Sequence, residues 1–157
     1  MNQDKLIDNR IRKFFGLDGS DLEIIDSGLI NKTWVVKNNG KPRSIIQRVN
    51  KIFPKEINKD IDNITKFFLK NNFKTPSIIP STTGEIFIEL DGYVWRQLSY
   101  IEGHNFNCLK NKQQARSAGE LLGRFHKIIN NYDYNFSYKK KYHYNFSYYK
   151  EEIEKTL

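Results

Sequence analysis

Residues 24–50, IIDSGLINKTWVVKNNGKPRSIIQRVN, constrain the fold more than any other stretch of the chain. They read as a strand, a glycine-containing turn, a second strand, a tight hairpin and a third strand that ends on a cation. Strand one is predicted from Leu22 to Ser27, with Leu22 and Ile24 sharing a face. Gly28-Leu29-Ile30-Asn31 forms the turn. Thr33 to Lys37 follows, rich in the β-branched and aromatic residues that suit a pleated, half-buried surface. Asn38-Asn39-Gly40 signals a hairpin, because Asn and Gly accept the positive φ angles of a tight turn. Strand three is Ser44 to Val49, with Pro42 at its edge. Its period of two puts Ile46 and Arg48 on one face and Ile45 and Gln47 on the other.

The flanks complete an α+β pattern. Leu6, Ile7, Ile11, Phe14 and Phe15 recur at helical spacing within residues 4–15, and Gly16 and Gly19 end the run. This helix is expected to lie on the sheet. Pro54 opens a second helix with the apolar stripe Ile57, Ile61, Ile64, Phe67 and Phe68, ending at Asn71-Asn72. Residues 75–84 are predicted to be loop, since Pro76 and Pro80 interrupt backbone hydrogen bonding. Glu85 to Leu90, Asp91-Gly92 and Tyr93 to Leu98 form a second hairpin. A linker, Tyr100-Ile101-Glu102-Gly103, leads to the clearest helix, residues 111–131, with Ala115, Ala118, Leu121, Leu122, Phe125, Ile128 and Ile129 on one side. The expectation is five antiparallel strands with one inserted helix, then a helical part.

Composition narrows the class. With 157 residues, 38% hydrophobic and 14% aromatic, the chain can build a core. The single cysteine, Cys108, precludes an internal disulfide, fits a reducing compartment and reads as a small buried or half-buried residue. No stretch approaches the ~18 apolar residues of a membrane span, and residues 1–13 have no apolar signal region. A cytoplasmic protein with no membrane partner is expected. The net charge of +8 has two readings, a nucleic-acid surface or a Lys-rich bias that also suits a small polyanion. Outside Lys139-Lys140-Lys141 the cations are scattered, which favours the second. His104, His126 and His143 lie far apart and make no metal-ligand spacing; His126, on a helix, reads as a structural histidine bonded to a neighbouring segment.

The phrases GLINKTWVV, SIIQRVNKIFP, YVWRQLSYIEG and AGELLGRFH, in that order over residues 22–130, resemble the aminoglycoside phosphotransferase and choline kinase superfamily, with a protein-kinase-like fold. The nearest likeness is to N-acetylhexosamine 1-kinases. The resemblance implies a nucleotide-binding lobe over residues 21–99, after an N-terminal helix in 1–20. A hinge at 100–104 and the start of a helical lobe in 105–157 would follow. It implies ATP and Mg2+, and a sugar or amino sugar whose hydroxyl accepts the γ-phosphate. Gly28, Leu29, Ile30 and Asn31 would close over the phosphates. Arg48 would contact them as the strand-three cation, a planar fork in place of a lysine's point charge. Asp62 would pair with Arg48, with Asp60 on the same helix as the other choice. The Ser99 carbonyl and the Ile101 amide would bind adenine.

Phosphoryl transfer in this superfamily also needs an acceptor-orienting Asp and an Asn and a second Asp for the metal. The family carries them in a His-x-Asp-x-x-x-x-Asn segment and a later strand. Two residues after the three histidines stand Phe106, Ile128 and Asn145, and beyond Asp91 the sole aspartate is Asp133. The tail KYHYNFSYYKEEIEKTL resembles the segment before the family's catalytic loop. The expected protein is therefore the first half of such a kinase, with no catalytic or metal-binding residue of its own and inactive alone. The competing readings are a nucleotide-binding pseudokinase that works with a partner chain, and a nucleic-acid binder using the aromatic, basic stretch 134–150. Tyr134-Asn135-Phe136-Ser137-Tyr138 recurs at 144–148; two copies are too few for a solenoid.

Overall fold

A strand buried on both faces needs cover on both sides, and here a helix supplies each. The computed structural model describes residues 7–25, 28–104, 106, 108–138, 149–150 and 153–155. In chain order the elements are α1 (Asn9–Phe14), β1 (Asp21–Ile25), β2 (Lys32–Asn38), β3 (Lys41–Val49), α2 (Ile57–Lys70), β4 (Ile78–Ile79), β5 (Ile88–Leu90), β6 (Tyr93–Ser99) and α3 (Lys112–Ile129). The sheet runs β1-β2-β3-β6-β4, and β5 also pairs with β6. The pairings are antiparallel. Asn39 and Gly40 have φ of 50° and 74°, and Asp91 and Gly92 have 52° and 74°. Both predicted hairpin turns thus use two consecutive positive φ angles.

The expected five strands are present, and a sixth joins them. Ile78 and Ile79 pair with Leu98 and Gln97 of β6, inside the segment predicted to be loop. Pro76 and Pro80 leave room between them for two paired residues, and the Ser99 amide donates to the Ser77 carbonyl at 2.8 Å. The predicted strand 85–90 shortens to β5. Pro54 sits in the turn before α2, its carbonyl accepting from the Ile57 amide.

Opposed residues of antiparallel strands share a face. On one face Trp34, Val36, Ile46 and Trp95 pack against Ile7, Ile11, Phe15 and Leu17 from α1 and its flanks. Ile11 and Ile46 are fully buried, and the Trp34 and Trp95 rings stack 5.6 Å apart. The other face carries Val35, Ile45, Gln47, Val49, Arg96 and Leu98, and α2 lies on it.

α3 docks on α2 through Phe125, stacked 5.1 Å from Phe68, while Leu121 and Leu122 stay more than half exposed. Asn111 caps α3, its Oδ1 accepting from the Gln114 amide at 2.9 Å. After α3 the chain turns back over α2. Asp60, 5% exposed, accepts from the Tyr134 hydroxyl (3.0 Å) and the Ser137 (2.9 Å) and Tyr138 (3.0 Å) amides. Thus the first copy of the repeated pentapeptide has a defined task. The second copy and Lys139–Lys141 lie outside the described residues. Cys108 is exposed rather than buried, because its loop has no cover among the described residues. His126 is also exposed and forms no side-chain hydrogen bond to the described residues.

Two stability measurements check this account. Ile46→Ala should cost roughly 2–5 kcal/mol in urea denaturation, and the half-buried Ile45→Ala clearly less. For Asp60, burial opposes ionisation, but the two amides and the tyrosine hydroxyl outweigh it and hold the carboxyl below its ordinary value. A lowered carboxyl stabilises the fold above the unfolded-state value and loses that contribution as pH falls through the folded-state value. Asp60→Asn should therefore destabilise by roughly 1–3 kcal/mol at pH 7. The gap from wild type should close as the pH falls below about 4.

Candidate functional site

The glycine turn is held in place by its own side chains. A Cβ on Gly28 would lie 3.0 Å from the Asn31 carbonyl oxygen, closer than side chains ordinarily come, so a larger residue would push the turn open. Asn31 Oδ1 accepts from the Asn50 amide at 2.9 Å, and Asn50 Nδ2 donates to the Ile30 carbonyl at 3.1 Å. This exchange staples the turn to the end of β3. Leu29 is fully exposed at the tip and Ile30 half exposed.

β3 then separates two groups that the sequence reading had merged. Arg48 pairs in register with Trp95 and Lys32, on the α1 face. Its Cζ lies 4.5 Å from the Tyr93 ring centroid and 5.9 Å from that of Trp95. Lys51 Nζ approaches the same Tyr93 ring at 4.2 Å. Arg48, Lys51 and Tyr93, with Ile30, Lys32, Val49 and Asn50, line a cavity of about 310 Å³ at the turn end of the sheet.

Gln47 points the other way and meets Arg96. Arg96 Nε and Nη2 donate to Gln47 Oε1 at 3.0 and 2.8 Å, and Nη1 donates to Asn58 Oδ1 of α2 at 3.1 Å. Asn58 is fully buried and anchored by its own bond to the Lys55 carbonyl at 2.8 Å. The cation that reaches α2 is therefore Arg96 on β6, not the strand-three arginine. The signal was legible: an arginine alternating with Val94 and Leu98 in YVWRQLS lies on a buried face.

The expected pair between Arg48 and an acid on α2 does not form. Asp62 Oδ2 takes Lys66 Nζ at 2.6 Å one helical turn on, and Asp60 is occupied by residues 134–138. The reason is geometric, since Arg48 and α2 stand on opposite sides of β3. Ser99 ends β6, tied to Ser77 by its amide and by its hydroxyl, which accepts from the Ser77 amide at 2.9 Å. Ile101 follows, half-buried, in the irregular segment 100–104. Val35, Ile45 and Leu98 give the α2 face a half-buried apolar strip between turn and linker. Among the described residues no three His, Cys, Asp or Glu side chains gather as a metal site, and no helix is long and apolar enough to cross a membrane.

No protein-family model matches the sequence. Solved structures do resemble the chain. An amicoumacin kinase, hAmiN, in complex with AMP-PNP, Ca2+ and Ami, superposes with a TM-score of 0.74 at 10% identity, over 87% of this chain and 44% of that one. A microcompartment-associated aminopropanol kinase gives 0.66 at 11% identity, over 90% of this chain and 46% of that one. The chain spans under half the length of each. At such identities the likeness is one of architecture, and it places the chain in the kinase-like α+β fold, in the arrangement of the amino-terminal lobe of small-molecule kinases.

Proposed function

We propose that the chain is the ATP-binding part of a small-molecule kinase, with the nucleotide lying against the α2 face of the sheet. One observation carries this reading. The α2 face carries an apolar strip across β2, β3 and β6, with the glycine turn leading into β2 and the linker leaving β6, within a fold shared with kinases. Val35, Ile45 and Leu98 offer a flat apolar surface to a purine. The Ser99 carbonyl and the Ile101 amide, in the linker that follows β6, would bind its edge. Gly28, Leu29, Ile30 and Asn31 would close over the phosphates, whose charge the positive net charge of +8 favours. Residues 21–99 form the lobe in this reading and 100–104 the hinge. A cytoplasmic location, where ATP is at hand, goes with it.

The acceptor is read as a hydroxyl of a sugar or amino sugar, on the likeness of the four sequence phrases to hexosamine kinases. Mg2+ would arrive with the nucleotide, but the described residues include no cluster fit to ligate it, and no residue here is assigned to it. The sequence has no His-x-Asp-x-x-x-x-Asn segment to orient an acceptor. Binding without transfer is the expected behaviour of these 157 residues. A second reading, a nucleotide-binding module completed by a partner chain, is favoured by the exposed Leu121 and Leu122 on α3. Release of ADP when the chain is mixed with such a partner would distinguish it.

Calorimetric titration of the chain with ATP should show saturable one-to-one binding and no ADP production. Absence of binding at millimolar ATP would overturn the proposal. Gly28→Val, which drives a side chain into the Asn31 carbonyl, should weaken ATP binding about tenfold, near 1.4 kcal/mol, with the melting temperature little changed.

A further inference from the structure

We infer that Arg96, held by Gln47 and Asn58, is the cation that receives the phosphates of the nucleotide, in the place expected of Arg48; this rests on the proposed nucleotide reading. Arg96 is only 8% exposed, yet its hydrogen-bond partners are two neutral amides. No carboxylate among the described residues balances its charge. A guanidinium carries five N–H donors. Three are used, so two have no acceptor among the described residues. Burial lowers the group to about 10, which leaves it charged at neutral pH.

A buried, uncompensated guanidinium is costly, and an anion is what removes the cost. The two amide oxygens fix the plane of the fork, which presets it for two oxygens of one phosphate. Gln47 is half-buried at the edge of this group and Val49 buried beside it, so the approach is from the apolar strip side, where the purine is proposed to lie. Arg48 stands on the opposite face of β3, beside Tyr93 and Trp95, and cannot share that ligand.

Equilibrium binding of ATP and of adenosine to three chains tests this: wild type, Arg96→Met and Gln47→Glu. Arg96→Met should lose at least about tenfold in ATP affinity and keep its adenosine affinity. Gln47→Glu keeps Arg96 and gives it the missing carboxylate, so it should fold at least as well as wild type and show the same selective loss. It answers the question even if Arg96→Met fails to fold. Wild-type ATP affinity in Gln47→Glu would overturn the assignment to Arg96 and leave the nucleotide reading standing. If wild type bound neither ATP nor adenosine, the nucleotide reading itself would fall, and this inference with it.

Discussion

β3 is covered on both sides, and one residue step along it changes the chemistry completely. Ile46 is fully buried beneath α1, while its neighbour Gln47 accepts two bonds from Arg96 and is linked through it to Asn58 of α2. A slip of one residue in the pairing with β6 would put Arg96 in the tryptophan core and Trp95 against α2, so the register is fixed by strong opposing penalties. That register sets where the glycine turn sits, because Asn31 and Asn50 join the turn to the end of the same strand. The two faces therefore have different tasks. One is a dry core; the other is half-buried, partly polar and open at the linker end.

Two side chains in the first turn of α2 tie it to its surroundings. Asn58 takes Arg96 from the sheet, and Asp60 takes the segment after α3. An event at Arg96 is thus two residues along the helix from the contact that seats the post-α3 segment. Asp60, not Asp62, does this because it faces inward at 5% exposure, whereas Asp62 reaches only Lys66 on its own helix. The stacked rings of Phe68 and Phe125 complete the junction between the two helices.

Much of the fold was legible from residue pattern. Asn39-Gly40 and Asp91-Gly92 announced their hairpins because few other residues tolerate two consecutive positive φ angles. The apolar stripes of α2 and α3 announced helices. β4 was hidden, since a two-residue strand carries no periodic signal and pairs only because Leu98 and Gln97 are there to receive it. The site was less legible. Alternation placed Arg48 with Ile46 correctly, but which face α2 would cover depends on tertiary packing that no local pattern encodes. Alternation with Val94 and Leu98 marks the face of Arg96, but not its partners Gln47 and Asn58, which are 49 and 38 residues away. The task of Asp60 depends on still more distant partners, 74 to 78 residues away.

The central claim is that the α2 face of the sheet, not the α1 face, receives a nucleotide. Backbone and arginine side-chain NMR shifts of the isotope-labelled chain, recorded while AMP-PNP is added, test it most directly. The account predicts shifts confined to residues 28–31, 35, 45, 47, 96 and 98–101. Shifts centred instead on Lys32, Arg48, Lys51 and Tyr93, or none at saturating nucleotide, would contradict it.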